Sequence, residues 1–237
     1  MSNIVSLAAT DIWTEHQYQQ HLLGQKGETA DGRIFRYAKM GEAVTMGYLT
    51  QSPAIDTATI TMAVTSAAAV GAKSITFTHG ATTSTANEYA EGFLTVSYGT
   101  GIGQTLKIAS HLAYTSAQTG AVVNLEDPLL VALDTTSKID LAHNPWNKVL
   151  MDVSAVTQPT GVALLSFTSG YFGWLQTKGV VGVFADATIA AGYTFIADGS
   201  VSGGIDVISN DIQQVKVGEA IQAGAQNYAH QVYLRID

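Results

Sequence analysis

Between residues 160 and 185 the chain reads Thr160-Gly-Val-Ala-Leu-Leu-Ser-Phe-Thr-Ser-Gly-Tyr-Phe-Gly-Trp-Leu-Gln-Thr-Lys-Gly-Val-Val-Gly-Val-Phe-Ala185, and this stretch limits the fold more than any other. Apolar runs at 161–167, 171–177 and 180–185 are cut apart by Ser169-Gly170 and Lys178-Gly179. Short runs rich in Val, Phe, Tyr and Trp, bounded by glycine, read as strands joined by tight turns. Gaps this short suit hairpins, whereas a parallel crossover needs about a dozen residues or more. The stretch therefore predicts an antiparallel meander. Phe172 and Trp174 leave one face of its middle strand, and Tyr171, Gly173 and Leu175 leave the other. A Trp in such a strand is expected to anchor a core.

The same period-two pattern recurs along the chain. Ile60, Met62 and Val64 alternate with Thr59, Thr61 and Ala63, and Ile75 and Phe77 alternate with Ser74, Thr76 and Thr78. Further strand-like runs occupy 92–98, 104–109, 121–125, 193–197, 205–208, 215–223 and 231–236. Threonine on the wet face is the mark of half-buried antiparallel strands. Strands about ten residues apart predict an all-β chain of antiparallel sandwich or barrel domains. Residues 1–30 break the pattern. Thr10 or Asp11 caps and Gly24 stops a segment that fits either a short helix or an extended N-terminal arm. The expected division is an arm at 1–40, a sandwich-like domain at 41–157 and a small barrel or sandwich at 158–237, with no repeat of fixed period.

Composition narrows the function classes. Only 13% of the 237 residues are charged, about half the usual share of roughly 25%. A surface this poor in charge suits a protein that is covered in an assembly, and interface centres are depleted in charge. The net charge of −8 argues against a nucleic-acid partner. Four basic residues, Lys26, Arg33, Arg36 and Lys39, nevertheless gather near the aromatic residues of the first forty. Trp13, Tyr18, Arg33, Phe35, Arg36 and Tyr37 are accordingly the expected partner-binding residues of the arm, since aromatics and Arg dominate interface energies. Cysteine is absent, which removes disulfides, thiolate metal sites and cysteine nucleophiles together. Residues 1–10 lack the basic start and apolar length of a signal peptide, and no run approaches 18 apolar residues, so neither export nor a membrane span is expected.

No motif selects a reaction. Gly99-Thr-Gly-Ile-Gly103 has the wrong spacing for a dinucleotide or phosphate loop and sits between two strand patterns, so it reads as a hairpin turn. The six histidines, His16, His21, His79, His111, His143 and His230, show no metal-ligand spacing. Glu126-Asp127 before Pro128, and Asp134, read as turn residues ahead of a glycosidase pair. Asp198 and Asp206 lack the alternating carboxylates of a calcium loop. No catalytic residue, metal or cofactor is expected.

Gly161-Val-Ala-Leu164, Gly170-Tyr-Phe-Gly-Trp-Leu-Gln-Thr-Lys-Gly179 with Val180-Val181, and Val217-Gly-Glu-Ala220 together resemble the head decoration, or cement, proteins of tailed bacteriophages. Asp31-Gly-Arg-Ile-Phe-Arg-Tyr-Ala38 and residues 89–104 look like longer phage structural proteins of this sort. The resemblance is clearest over 160–223 and consists of glycines and small apolar residues, which specify turns and packing. It implies a non-enzymatic virion protein, commonly a homotrimer, assembled in the host cytoplasm. Such a protein binds the major capsid protein on the outer face of the expanded shell. The rival expectation is a tail- or fibre-associated module that stacks aromatics on carbohydrate. Exposure of Trp146 or Trp174 would favour that rival, and their burial the cement protein.

Overall fold

The computed structural model describes residues 4–151, 158–197, 201–207 and 216–237. Its regular structure is almost wholly β, with two short 3-10 turns at Asp11–Trp13 and Thr57–Thr59. In chain order the strands are β1 (Val5–Leu7), β2 (Lys26–Thr29), β3 (Ile34–Lys39), β4 (Leu49–Gln51), β5 (Met62–Ala63), β6 (Ser74–Phe77), β7 (Phe93–Tyr98), β8 (Thr105–His111), β9 (Ala121–Leu125) and β10 (Lys138–Ala142). They continue as β11 (Leu150–Met151), β12 (Pro159–Ala163), β13 (Phe172–Ala185), β14 (Thr194–Ala197), β15 (Ile205–Val207), β16 (Lys216–Ala220) and β17 (Tyr228–Arg235).

The chain forms two compact units that differ from the expected division at 1–40, 41–157 and 158–237. Unit 1 joins Met1–Pro53 to Pro145–Asp237, and unit 2 is the single segment Ala54–Asn144. The cause is long-range pairing. β3 lies antiparallel to β13, with Phe35 opposite Gln176 and Tyr37 opposite Trp174, so the first forty residues belong to the sheet that the last part of the chain builds.

Unit 2 is a ring of strands in the order β5-β10-β7-β8-β9-β6. An antiparallel bridge between Val64 and Phe77 and the bonds Thr65 N→Thr76 O (2.9 Å) and Thr78 N→Ala63 O (2.9 Å) bring β6 back to β5. Closure leaves no long edge for another chain to extend. The inward residues of alternating strands, among them Ile75, Phe77, Leu94, Val96, Ile108 and Val123, fill the interior. The Gly99–Gly103 turn is the β7–β8 hairpin that the sequence predicts, and Gly99, Gly101 and Gly103 all take positive φ.

Unit 1 contains two rings that share β13. Its first half pairs with β3 and β12, β12 with β4, and β4 with β11. A bridge from Val149 to Met40 returns to the β3 side. Its second half pairs with β17 along its length, and β15, β14 and β16 complete the second ring. The turn expected at Lys178-Gly179 is therefore not a hairpin. β13 runs straight through it, with a register shift between Gln176 and Lys178. The Gln176 amide bonds the carbonyls of Lys178 (3.1 Å) and Val180 (3.0 Å) across that irregularity. Gly179 takes φ +97, which a side-chain-bearing residue rarely adopts, and a Cβ there would come 2.9 Å from Arg33 Cγ. A strand passing between rings needs the same residue type as a turn. Trp174 is buried as expected, in one core of the unit, while Leu175 on the opposite face lies in another.

One local device recurs in both units at unequal spacing. Eight bridge residues meet reciprocally as Val44 with Phe167, Ala68 with Leu133, Ser84 with Tyr114 and Ile189 with Gly224. Each partner donates its N–H to the other's carbonyl, at 2.8–3.2 Å. Three residues after the bridge the chain turns through positive φ at Gly47, Gly71, Asn87, Ala117, Gly170, Gly192 and Asn227, and a strand follows in each case. The exception is Thr136 after Leu133, where the Asp134 carboxylate caps the turn by accepting from Thr136 N (2.8 Å).

Candidate interaction surface

The N-terminal segment is extended and anchored, not free. β1 lies parallel to β2, and Leu7, Ile12 and Leu23 enter the main core of unit 1 with Phe35, Tyr37 and Trp174. The 3-10 turn is held by Asp11 Oδ2 accepting from Ala8 N (2.8 Å) and by Thr14 Oγ1 donating to Thr10 O (2.7 Å). Beyond it, His16 and Phe172 exchange both backbone bonds at 2.8 Å. The Glu15 carboxylate accepts from Thr168 N (2.7 Å) and Thr168 Oγ1 (3.0 Å). His21 packs against Tyr37 (ring centroids 5.2 Å) and Trp174 (5.1 Å).

This anchoring sorts the expected partner residues. Phe35 and Tyr37 are fully buried in their own unit, so they are core residues and not the partner anchors expected of the arm. Burial also raises the Tyr37 phenol above its ordinary pKa. Arg36 is committed internally. Its guanidinium donates to both Asp237 oxygens (2.8 and 2.7 Å) and to Gly24 O (2.9 Å), and lies 5.3 Å from the Trp146 ring centre. Burial alone would raise the Asp237 carboxyl, but hydrogen bonds from Arg36 and Thr177 and the Arg36 charge hold it below the usual range. Arg33 is tied into the preceding turn through Asp31 (2.8 Å). Trp13 and Tyr18 remain, 54% and 73% exposed, and Leu22 of the same segment is half exposed. The backbone that carries these three is fixed on both sides, so they project from a rigid support.

Of the tryptophans, Trp174 is buried. Trp146 is half-covered, donating Nε1–H to Thr160 O (3.2 Å) and lying over Gly24, whose Cβ would sit 2.6 Å from the indole.

A polar cluster inside unit 2 forms no recognisable motif in the sequence: His79 and Ser84 are five residues apart, and His111 follows 27 positions after Ser84. Ser84 Oγ lies 3.0 Å from His79 Nε2, the spacing of a nucleophile and its base. Both residues are buried, and His79 Nδ1 meets no acid that would orient the ring. Tyr89 N donates to His111 Nε2 (2.9 Å), which leaves the proton on Nδ1 to bond Leu112 O (2.7 Å). Burial lowers the pKa of both histidines and raises that of Tyr114 well above the ordinary phenol range. The arrangement is a buried core network around uncharged imidazoles, in which both His111 nitrogens are hydrogen-bonded and His79 Nδ1 meets no partner.

The acidic residues keep turn roles. Asp134 accepts from Thr100 and Thr136 hydroxyls (both 2.6 Å), and these bonds hold its carboxyl low. Glu126 pairs with Lys107 at 3.4 Å. Asp198 lies outside the described residues. Among the described residues no group of three His, Asp or Glu side chains is placed to hold a metal, and no helix is long and apolar enough to cross a membrane. No family model, no curated protein and no solved structure matches the chain.

Proposed function

We propose that this chain is a non-enzymatic structural protein of a phage head, which binds the outer surface of the shell formed by the major capsid protein and stabilises it after expansion. In this reading it acts as a homo-oligomer, a trimer by its resemblance, and resides on the virion after assembly in the host cytoplasm. The observation that carries the proposal is the rigid presentation of Trp13, Tyr18 and Leu22 on an anchored segment of a charge-poor protein. Large apolar side chains held still in water lose little conformational freedom on docking, and that is how interface anchors act. The closed β rings supply the stiffness such a clamp needs.

The test is co-sedimentation with undecorated expanded heads of the phage that encodes the chain. Trp13→Ala and Tyr18→Ala should each cost about 2 kcal/mol, roughly thirtyfold in affinity, without unfolding the protein. Tight binding by the double variant would overturn this site. Light scattering at micromolar concentration tests the oligomer, and a pure monomer would remove that part of the proposal.

The carbohydrate-binding reading loses the buried Trp174 as a sugar platform and has in Trp146 a half-covered ring, but it retains Trp13 and Tyr18, whose exposed rings are also suited to stacking. Glycan binding abolished by Trp13→Ala, with no binding to heads, would favour it.

A further inference from the structure

Unit 2 presents an apolar surface that neither its own ring nor the contact through Trp13 and Tyr18 uses. The two turn pairs of this unit provide an internal comparison. Around the Ser84–Tyr114 pair the exposed positions are mainly Thr82, Thr83, Thr85 and Ser116, with Leu112 as the one large aliphatic. Around the Ala68–Leu133 pair they are Val70 (64% exposed), Leu130 (76%) and Val131 (48%), and Ile102 (64%) joins them from the β7–β8 hairpin. The same backbone device is thus polar in one copy and aliphatic in the other, so the turn itself does not demand the exposed side chains.

The aliphatic tip is also fixed in shape. Gly71 N donates to Leu129 O (2.9 Å), which joins the turn that carries Val70 to the segment that carries Leu130. A single side chain, Gln104, ties down the rest. Its Oε1 accepts from Leu130 N (3.0 Å) and Val131 N (2.9 Å), while Nε2 donates to Val131 O (3.0 Å) and Gly101 O (3.2 Å).

Size and charge indicate what covers it. Four exposed aliphatics make a patch on the order of 400 Å², within the range that marks interaction sites. A stable dimer buries about 800 Å² per partner, twice as much. The rim is mixed but net acidic: the carboxylates of Glu126, Asp127 and Asp134 stand against two ammonium groups, Lys107 paired with Glu126 (3.4 Å) and Lys73 donating to the Glu126 carbonyl (2.8 Å). Two copies meeting here would bring acidic rims together, whereas a basic rim on a different surface would complement them. We propose that this tip is a second contact with the capsid shell, seated in an aliphatic socket edged by Lys or Arg. The inference rests on the reading of the chain as a shell-binding protein. Two modest contacts on one chain then reinforce each other, since the second forms at high effective concentration.

The experiment uses the full chain and undecorated expanded heads at two salt concentrations. Leu130→Asp should weaken co-sedimentation tenfold or more while leaving thermal unfolding unchanged, because the side chain is exposed. Ile102→Asp, on the separate hairpin, repeats the test should the first variant misfold. Asp127→Asn should weaken binding less and flatten its salt dependence. If intact protein fails to bind heads, the shell-binding reading falls and takes this inference with it. If intact protein binds and the tip variants bind equally well, only the tip is overturned. Loss of the oligomer in Leu130→Asp, with head binding retained, would make the tip a subunit contact and overturn the inference as well.

Discussion

The two units build closed β rings from the same paired turn, yet they fill them differently. Unit 1 packs Trp174, Tyr37, Phe35 and Phe172 into its main core, with His21 T-shaped to Tyr37 and tilted against Trp174. Unit 2 has no tryptophan, and its buried aromatics contact two buried histidines, His79 and His111. Its interior therefore contains groups that want a proton in water and are denied one in the fold. Unit 1 carries its main acid-sensitive link near its rim, between Arg36 and Asp237. One backbone scheme tolerates both solutions because the turn pairs bond main chain to main chain and leave the side chains free to differ.

The largest expected effects separate the units outright. Trp174→Ala should cost about 3–5 kcal/mol and Phe77→Ala a similar amount, the first in unit 1 and the second in unit 2. All three tryptophans lie in unit 1, so their fluorescence follows that unit, and hydrogen exchange read by mass spectrometry follows both. If Phe77→Ala shifts the tryptophan transition as much as Trp174→Ala does, the units unfold as one and the comparison breaks. Next in size is Gly80→Ala, whose Cβ would collide with the Ala58 carbonyl. Overpacking against backbone predicts a loss of about 1–3 kcal/mol, confined to unit 2.

Acid should then distinguish the two interiors. His79 and His111 stay neutral in the fold because burial lowers their pKa, whereas in the unfolded chain they take up protons near pH 6.5. Their contribution is fully present above that value and is lost as pH falls through about 6.5 towards the lowered folded values. Asp237 is held low in unit 1, so its contribution persists to about pH 4 and is lost only below it. Exchange protection in unit 2 should therefore decline first on acidification, and His79→Phe should blunt that decline. Simultaneous loss in both units would remove the proposed difference. The smallest effect concerns the turn device itself. Ala117 takes φ +52 where most equivalent positions have Gly or Asn, so Ala117→Gly should stabilise unit 2 by about 0.5–1 kcal/mol in denaturant melts.

Local alternation was the part of this structure that the sequence displayed openly. β9 and the β7–β8 hairpin fall where Val, Leu and Thr alternate, and Val232 and Leu234 of β17 face inward as the pattern requires. Pairing across long separations left no such mark. Phe35 and Tyr37 look like exposed aromatics in a basic stretch until β13 is placed beside them. The Lys178-Gly179 step shows the same limit, since a glycine that ends a strand and one that bends it are written alike. β10 alternates Ile139 and Leu141 with Lys138 and Asp140 over only five residues, too short a run to stand out before β5 and β7 are placed beside it. Of the candidate surface, Trp13 and Tyr18 were legible as aromatics without local partners. The tip at Val70, Ile102, Leu130 and Val131 was not, because a run such as Leu129-Leu130-Val131 reads as core. The repeated turn did leave a signal, an apolar or small residue followed three places later by Gly or Asn, but uneven spacing hid it from any search for a period.

The insertion of unit 2 within unit 1 sets an order of events during synthesis. Residues 54–144 can close their ring as soon as they leave the ribosome, because every strand partner lies inside the segment. The first 53 residues cannot, since β3 waits for β13 and Arg36 meets Asp237 only 201 positions later. At roughly 5–20 residues per second, Phe35, Tyr37, Leu7 and Ile12 spend on the order of ten seconds or more without their core. A nascent chain stalled after residue 144 would hold one finished ring behind a sticky, unsatisfied leader, and that is the stage at which a chaperone has most to do.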